Sequence, residues 1–238
     1  MGNGSTLRAL TFDVFGTLVD WRTSVAREAR NILSPLGISL DWPAFADAWR
    51  RQYQPSMEEV RSGRVAFRTL DALHRSSLDI VLASFGLSSI GEPTKDELTL
   101  VWHRLDAWPD VKVGLAKLHR LFRVAPCSNG NISLMVDLAR HNGFVWDAIL
   151  GAEIARDYKP KSSVYLSSVV ALGCTASQVM MVAAHSSDLA AAASVGMRTA
   201  FIPRPEEHGP GASETRASIP VDVSADDLPD LADKLQGA

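Results

Sequence analysis

Asp13 ends an apolar run, Leu10-Thr11-Phe12-Asp13-Val14-Phe15-Gly16-Thr17-Leu18, and the chain turns at once into Gly-Thr. Alone, such an aspartate caps the turn that follows it. Lys159, just before Pro160, is on its own an ordinary surface lysine. Together they admit a chemical reading, because a lysine beside a carboxylate holds it ionised and oriented. An ionised carboxylate aimed at an electrophilic carbon is a nucleophile, and water then hydrolyses the ester it forms. Ser128-Asn129-Gly130 offers a hydroxyl and backbone N–H groups suited to a small carboxylate or phosphate, although the same residues also suit a plain helix N-cap. His185 and Asp188 complete the polar set. A neutral His185 would suit water activation, and its ring could also donate to a departing anion or simply pair with a carbonyl.

These residues need a scaffold that brings distant segments together. Residues 7–14 read as a buried strand. A helix-rich stretch then runs to about Arg104, with apolar residues at helical spacing such as Val25, Ala29, Ile32 and Leu33. Asp41 and Pro43 suit a helix start, and Gly37 and Gly86 suit helix stops. Beyond Pro109 the pattern alternates: helix at 113–121, strand at 122–127, helix at 132–142, strand at 148–150, helix at 163–172, strand at 179–184, helix at 187–195 and a closing strand at 198–202. Strands separated by single helices imply a parallel, doubly wound sheet. In such sheets ligands bind beyond the carboxyl ends of the strands. Asp13, Ser128-Asn129-Gly130 and the stretch His185 to Asp188 all fall at those ends, with Lys159 in the loop after the strand at 148–150. Residues 203–218, rich in Pro, Gly, Glu and Ser, read as a loop or loosely held tail.

The 238 residues accommodate one large domain or a core with a sizeable insertion. A net charge of -3 leaves no electrostatic reason to expect nucleic acid or a membrane as partner. Cys127 and Cys174 make neither a disulfide framework nor a metal-ligand spacing. No signal-peptide h-region is visible, and Met1-Gly2 with Thr6 matches the myristoylation pattern only weakly, so the expected location is cytoplasmic.

"FDVFGTLVD", "CSNGN", "YKPKSSVY" and "HSSDLAAAASVG" stand in the order and spacing of the four motifs of the haloacid dehalogenase superfamily. The sequence resembles that family over nearly its whole length. The resemblance implies an α/β fold, with a Rossmann-like parallel-sheet core of residues 1–20 and 105–238 and a helical cap inserted at 21–104. It implies Asp13 as nucleophile, Ser128 as the binder of the substrate anion and Lys159 as the neutralising cation.

Two positions separate chemistries within the family. Its phosphatases carry a second motif-one carboxylate as general acid, where this chain has Phe15. They also carry a metal-holding carboxylate four residues before the last aspartate, where this chain has Ala184. Both absences favour displacement of a good leaving group from carbon, without metal or cofactor. The (S)-2-haloacid dehalogenase (type II) branch has an aromatic at the position of Phe15, a Trp-Arg pair matched by Trp49-Arg50 and a tyrosine matched by Tyr165. The branch's Ser-Ser-Asn becomes Ala183-Ala184-His185 here, which puts substrate identity in doubt more than reaction type.

The expected activity is therefore hydrolysis of a small 2-haloalkanoate to the 2-hydroxy acid through an ester at Asp13. Arg50, with His185, would stabilise the departing halide, and Ser128 with nearby amides would hold the substrate carboxylate. Asp188 and Lys159 would position the water, and Thr17 and Asn129 would orient the carboxylates. Phe15, Trp49 and Tyr53 would wall the pocket with Tyr165 nearby, and Trp108 would pack in the core. The alternatives are a Mg²⁺-dependent phosphatase of the same superfamily, or a relative specialised for binding or strained-ring hydrolysis. The resemblance also allows a homodimer.

Overall fold

The computed structural model describes residues 6–237; Met1 and Gly2 of the myristoylation pattern lie outside them. In chain order the elements are β1 (Ala9–Phe12), β2 (Val19–Asp20), α1 (Trp21–Leu33), α2 (Trp42–Arg51), α3 (Tyr53–Arg61), α4 (Leu70–Ser84), α5 (Glu92–Thr99), β3 (Asp106–Ala107), α6 (Val111–His119), β4 (Arg123–Ser128), α7 (Ile132–Asn142), β5 (Leu150–Gly151), α8 (Ala152–Ala155), α9 (Ser162–Ala171), β6 (Val179–Ala183), α10 (Ser186–Ser194), β7 (Arg198–Phe201), β8 (Val223–Ser224) and α11 (Leu228–Gln236). Six strands form one parallel sheet in the order β5-β4-β1-β6-β7-β8. The central strands are buried along their length. Hence β6 reads Val-Met-Met-Val-Ala without a polar alternate, as a strand covered on both faces requires.

The helical insertion leaves and re-enters the core through a two-stranded antiparallel stem, with Val19 opposite Ala107 and Asp20 opposite Asp106. Asp20 caps α1 by accepting from the Thr23 N–H at 3.0 Å, and Asp41 caps α2 by accepting from the Ala44 N–H at 3.0 Å. Each such cap contributes about 1 kcal/mol. Trp21, Val25, Ala29 and Leu33 recur every four residues and form the buried stripe of α1. They share one core with Phe45, Trp49, Leu78 and Trp102.

Two expectations need correction. The sheet does not close at β7: β8 joins its edge, and α11 packs against α6. That contact depends on Gly114, because a Cβ there would lie 2.2 Å from the Cβ of Leu228. The segment 203–218 is a loop, as one of the two readings has it, but it is not loosely held. Arg204 is buried, donates to the Thr17 carbonyl at 2.8 Å and pairs with both oxygens of Asp110 at 2.7 and 2.9 Å. Glu207 is also buried, and Glu214 accepts from the Ser186 N–H at 3.1 Å.

Candidate active site

Four strand mouths and the insertion converge on a cavity of about 510 Å³. Its lining includes Asp13 after β1, Asn129 after β4, Lys159 from the loop before α9, His185 and Asp188 after β6, and Glu207 from the loop after β7. Arg50 on α2 and Tyr53 on α3 close it from the insertion, with Phe15 and Tyr165 also in the wall.

The polar groups form a connected set. The Lys159 ammonium lies 3.1 Å from Asp13 Oδ1 and 2.6 Å from Asp188 Oδ2. Tyr165 donates to Asp188 Oδ1 at 2.5 Å. Thr17 donates to Asp13 Oδ2 at 2.7 Å while its oxygen accepts from the Ala184 N–H at 3.0 Å. His185 reaches Asp13 Oδ2 through Nδ1 at 3.1 Å and Glu207 Oε2 through Nε2 at 2.8 Å. Asn129 Oδ1 accepts from the Lys159 N–H at 2.9 Å, which fixes the lysine's backbone.

Burial alone would raise the Asp13 carboxyl, but the Lys159 charge and the hydrogen bonds from His185 and Thr17 overcome it and hold the group well below the usual carboxylate range. Burial likewise opposes charge on His185, yet its bonds to Asp13 and Glu207 push the imidazole up to about 10. His185 is therefore cationic at neutral pH, which suits the donor role and removes the alternative of a neutral water-activating ring. Burial and the neighbouring Asp13 raise Asp188 against the pull of Lys159, so of the two carboxylates sharing that lysine Asp188 is the readier proton acceptor. Lys159 stays charged because Asp13 and Asp188 outweigh its burial. The protein thus supplies its own cations to the carboxylates facing the cavity. Burial pushes the Cys127 thiol up to about 11, which removes it as a nucleophile.

Arg50 differs from this paired set. Its guanidinium carbon sits 4.0 Å from the Tyr53 ring centroid, 5.1 Å from Trp21 and 5.9 Å from Phe15. Its buried Nη1 has no hydrogen-bond partner among the described residues. A desolvated guanidinium held by aromatic faces with a free N–H is a binding point for an anion.

Three expected site residues, Thr17, Trp49 and Ser128, do not line the cavity; Thr17 acts from behind Asp13 through the bond already described. Trp49 is only 1% exposed and its indole N–H donates to Ser77 at 3.2 Å. Successive helical residues point roughly 100° apart, so with Arg50 turned to the cavity Trp49 faces the core of the insertion. Ser128 is wholly buried, and its oxygen accepts from the Gly130 N–H at 3.0 Å. It braces the turn behind Asn129. Trp108 donates to the Gly16 carbonyl at 2.9 Å and does not line the cavity. Glu207 was missed in the sequence, where nothing in spacing or type separates it from Glu206 beside it.

A family model described as haloacid dehalogenase-like hydrolase matches residues 7–196. The chain belongs to that family. Within the haloacid dehalogenase-like hydrolases, it is similar to the crystal structure of a defluorinating L-2-haloacid dehalogenase, with 43% identity, a TM-score of 0.94, and coverage of 97% of this chain and 95% of that one. A second L-2-haloacid dehalogenase structure also shows 43% identity and a TM-score of 0.94, over 98% of this chain and all of the other. The (S)-2-haloacid dehalogenase 1 of Pseudomonas sp. (strain CBS-3) is 30% identical over 209 residues, covering 85% of this chain and 88% of that protein.

Proposed function

We propose that this haloacid dehalogenase-like hydrolase converts small (S)-2-haloalkanoic acids into 2-hydroxy acids, without metal, through an ester at Asp13. One observation carries the reading: an ionised carboxylate, held by Lys159, Thr17 and His185, shares a cavity with an arginine whose free N–H is ringed by aromatic faces. The three similar proteins reported above are named 2-haloacid dehalogenases, which supports the substrate class.

In the first step Asp13 attacks the α-carbon in line, with inversion, and the halide departs toward Arg50. Halide needs no proton, so Phe15 takes no part in proton transfer and instead helps keep the pocket dry. The substrate carboxylate is assigned to Ser128, Asn129 and the backbone amides beyond β4; the Ser128 oxygen accepts from the Gly130 N–H, which leaves its own O–H to donate. In the second step Asp188, held between Lys159 and Tyr165, takes a proton from the water that attacks the Asp13 carbonyl. Residues 21–104 act as the cap that closes the cavity, and residues 1–20 with 105–238 form the catalytic core. We place the enzyme in the cytoplasm and propose a homodimer, which the family resemblance allows. No helix among the described residues is long and apolar enough to cross a membrane.

A halide-release screen tests the reading: both enantiomers of 2-chloropropionate and fluoroacetate against p-nitrophenyl phosphate, each with and without EDTA. Halide release that EDTA leaves untouched is expected. Phosphate release abolished by EDTA would establish the phosphatase alternative.

A further inference from the structure

Resting on the aspartyl-ester reading above, we propose that Oδ2 of Asp13 becomes the carbonyl oxygen of the ester, that His185 and Thr17 form the oxyanion hole for its hydrolysis, and that Glu207 is the positioning residue that holds His185 to this task.

The two oxygens of Asp13 are not equivalent. Each carboxylate oxygen offers two in-plane acceptor sites. Oδ2 accepts from both Thr17, at 2.7 Å, and His185, at 3.1 Å, whereas Oδ1 meets only Lys159, at 3.1 Å. The oxygen with a site to spare is Oδ1, so the new bond to the α-carbon forms there and Oδ2 keeps both donors through the esterified state. When water attacks Cγ, the carbonyl π pair moves onto Oδ2, where a hydroxyl and an imidazolium N–H are already aimed. The water proton passes to Asp188. The tetrahedral intermediate then collapses: the Cγ–Oδ1 bond breaks, Oδ1 leaves as the hydroxyl oxygen of the product with a proton returned by Asp188, and Asp13 retains the oxygen from water as a carboxyl that releases water's second proton to solvent and returns to the carboxylate.

Glu207 carries a large share of this geometry. It is 2% exposed, and Oε2 holds His185 Nε2 at 2.8 Å, which directs Nδ1 at Asp13. Its other oxygen accepts from the Trp21 indole at 3.0 Å, at the first residue of α1. Gly16, at φ 84°, makes room, since a Cβ there would lie 2.0 Å from Glu207 Oε1. The charged groups around the imidazole are Asp13 and Glu207 in contact with it, Lys159 beyond Asp13, and Arg50 and His208 acting on Glu207. With Asp13 ionised and Glu207 in contact, the ring is pushed up to about 10; once Asp13 is esterified, Glu207 is the carboxylate that still holds its proton.

The arrangement acts oppositely on the two steps. Donors on Oδ2 make Asp13 a weaker nucleophile, so they do not assist displacement, and they lower the barrier to ester hydrolysis. Loss of packing alone would slow both steps.

The test compares wild type with Glu207→Gln and His185→Gln by rapid quench with saturating 2-chloropropionate, following halide release and the mass of the Asp13 peptide. Thermal melts verify that both variants fold. Expected is a burst of about one halide per site, then turnover slowed roughly 10²-fold, with Asp13 found esterified. For Glu207→Gln, the hydrolysis rate should also fall as pH rises through about 7, where an unassisted imidazole loses its proton, while in wild type, with Glu207 facing the ring, the fall should lie at higher pH. Unchanged turnover overturns the proposal, as does a slowed turnover with no burst and an unmodified Asp13. If Asp13 is never esterified in any form and Asp13→Asn stays active, the aspartyl-ester reading itself fails, a result distinct from both.

Discussion

The mouth of the sheet and the aromatic layer above it treat charge in opposite ways. At the mouth Asp13, Lys159, Asp188, His185 and Glu207 all have partners within 3.1 Å. In the insertion, Arg50 Nη1 and both ring nitrogens of His74 are buried without a hydrogen-bond partner among the described residues. The two histidines make the contrast plain. His185, between two carboxylates, is pushed up to about 10, whereas His74, stacked 4.2 Å from Trp102, is pushed down to about 3, chiefly by burial. Partners, more than depth, decide whether a side chain stays charged here. The paired groups fix the nucleophile before substrate arrives, and the unpaired arginine is the place where an anion gains most from entering.

The contrast is broken most severely at the paired end. Asp13→Asn removes the ionised oxygen and should cost on the order of 10⁴-fold or more in turnover, measured as halide release. Arg50→Met keeps much of the apolar body but removes the free donor, and should lower kcat/KM by about 10²–10³-fold. Arg50→Lys should restore little, because a compact ammonium cannot lie flat over Tyr53 and also present a fork of N–H groups.

His74→Phe sharpens the comparison from the stability side. Removing two unpartnered nitrogens from an aromatic stack should stabilise the fold by about 1–2 kcal/mol in urea melts. His74 binds its proton near 6.5 when unfolded and near 3 when folded, so its contribution is present above about pH 6.5 and lost as pH falls toward 3. The gap between variant and wild type should therefore widen from pH 7 to pH 5. His185 has the opposite sign. Its folded value lies above its unfolded one, so its stabilisation is present below about pH 6.5 and lost as pH rises through about 10. His185→Gln should accordingly flatten the alkaline limb of the melting curve between about pH 7 and pH 10.

The groups at strand ends were legible because a parallel sheet places the carboxyl ends of its strands together, so Asp13, Asn129, His185 and Asp188 could be gathered without coordinates. Lys159 could be paired with Asp13 because its loop follows the strand at 148–150, whereas Arg50 came from motif resemblance, since an arginine on a helix does not announce its direction. What stayed hidden depends on contacts between distant segments. Glu207 sits in a Pro- and Gly-rich stretch that composition marks as loop, and only burial against Gly16 and Trp21 reveals its role. Gly114 and Leu228, far apart in sequence, must nearly touch before α11 becomes visible as part of the core. Trp49 was misplaced because a residue next to a site residue on a helix points elsewhere.

The central claim is that Asp13 forms and loses an ester bond. Single-turnover hydrolysis of 2-chloropropionate in H₂¹⁸O, with enzyme in excess and the Asp13 peptide weighed afterwards, tests it most directly. An unlabelled first product with ¹⁸O appearing in Asp13 is the expected result. Label entering the product directly, with Asp13 left unlabelled, would contradict the account.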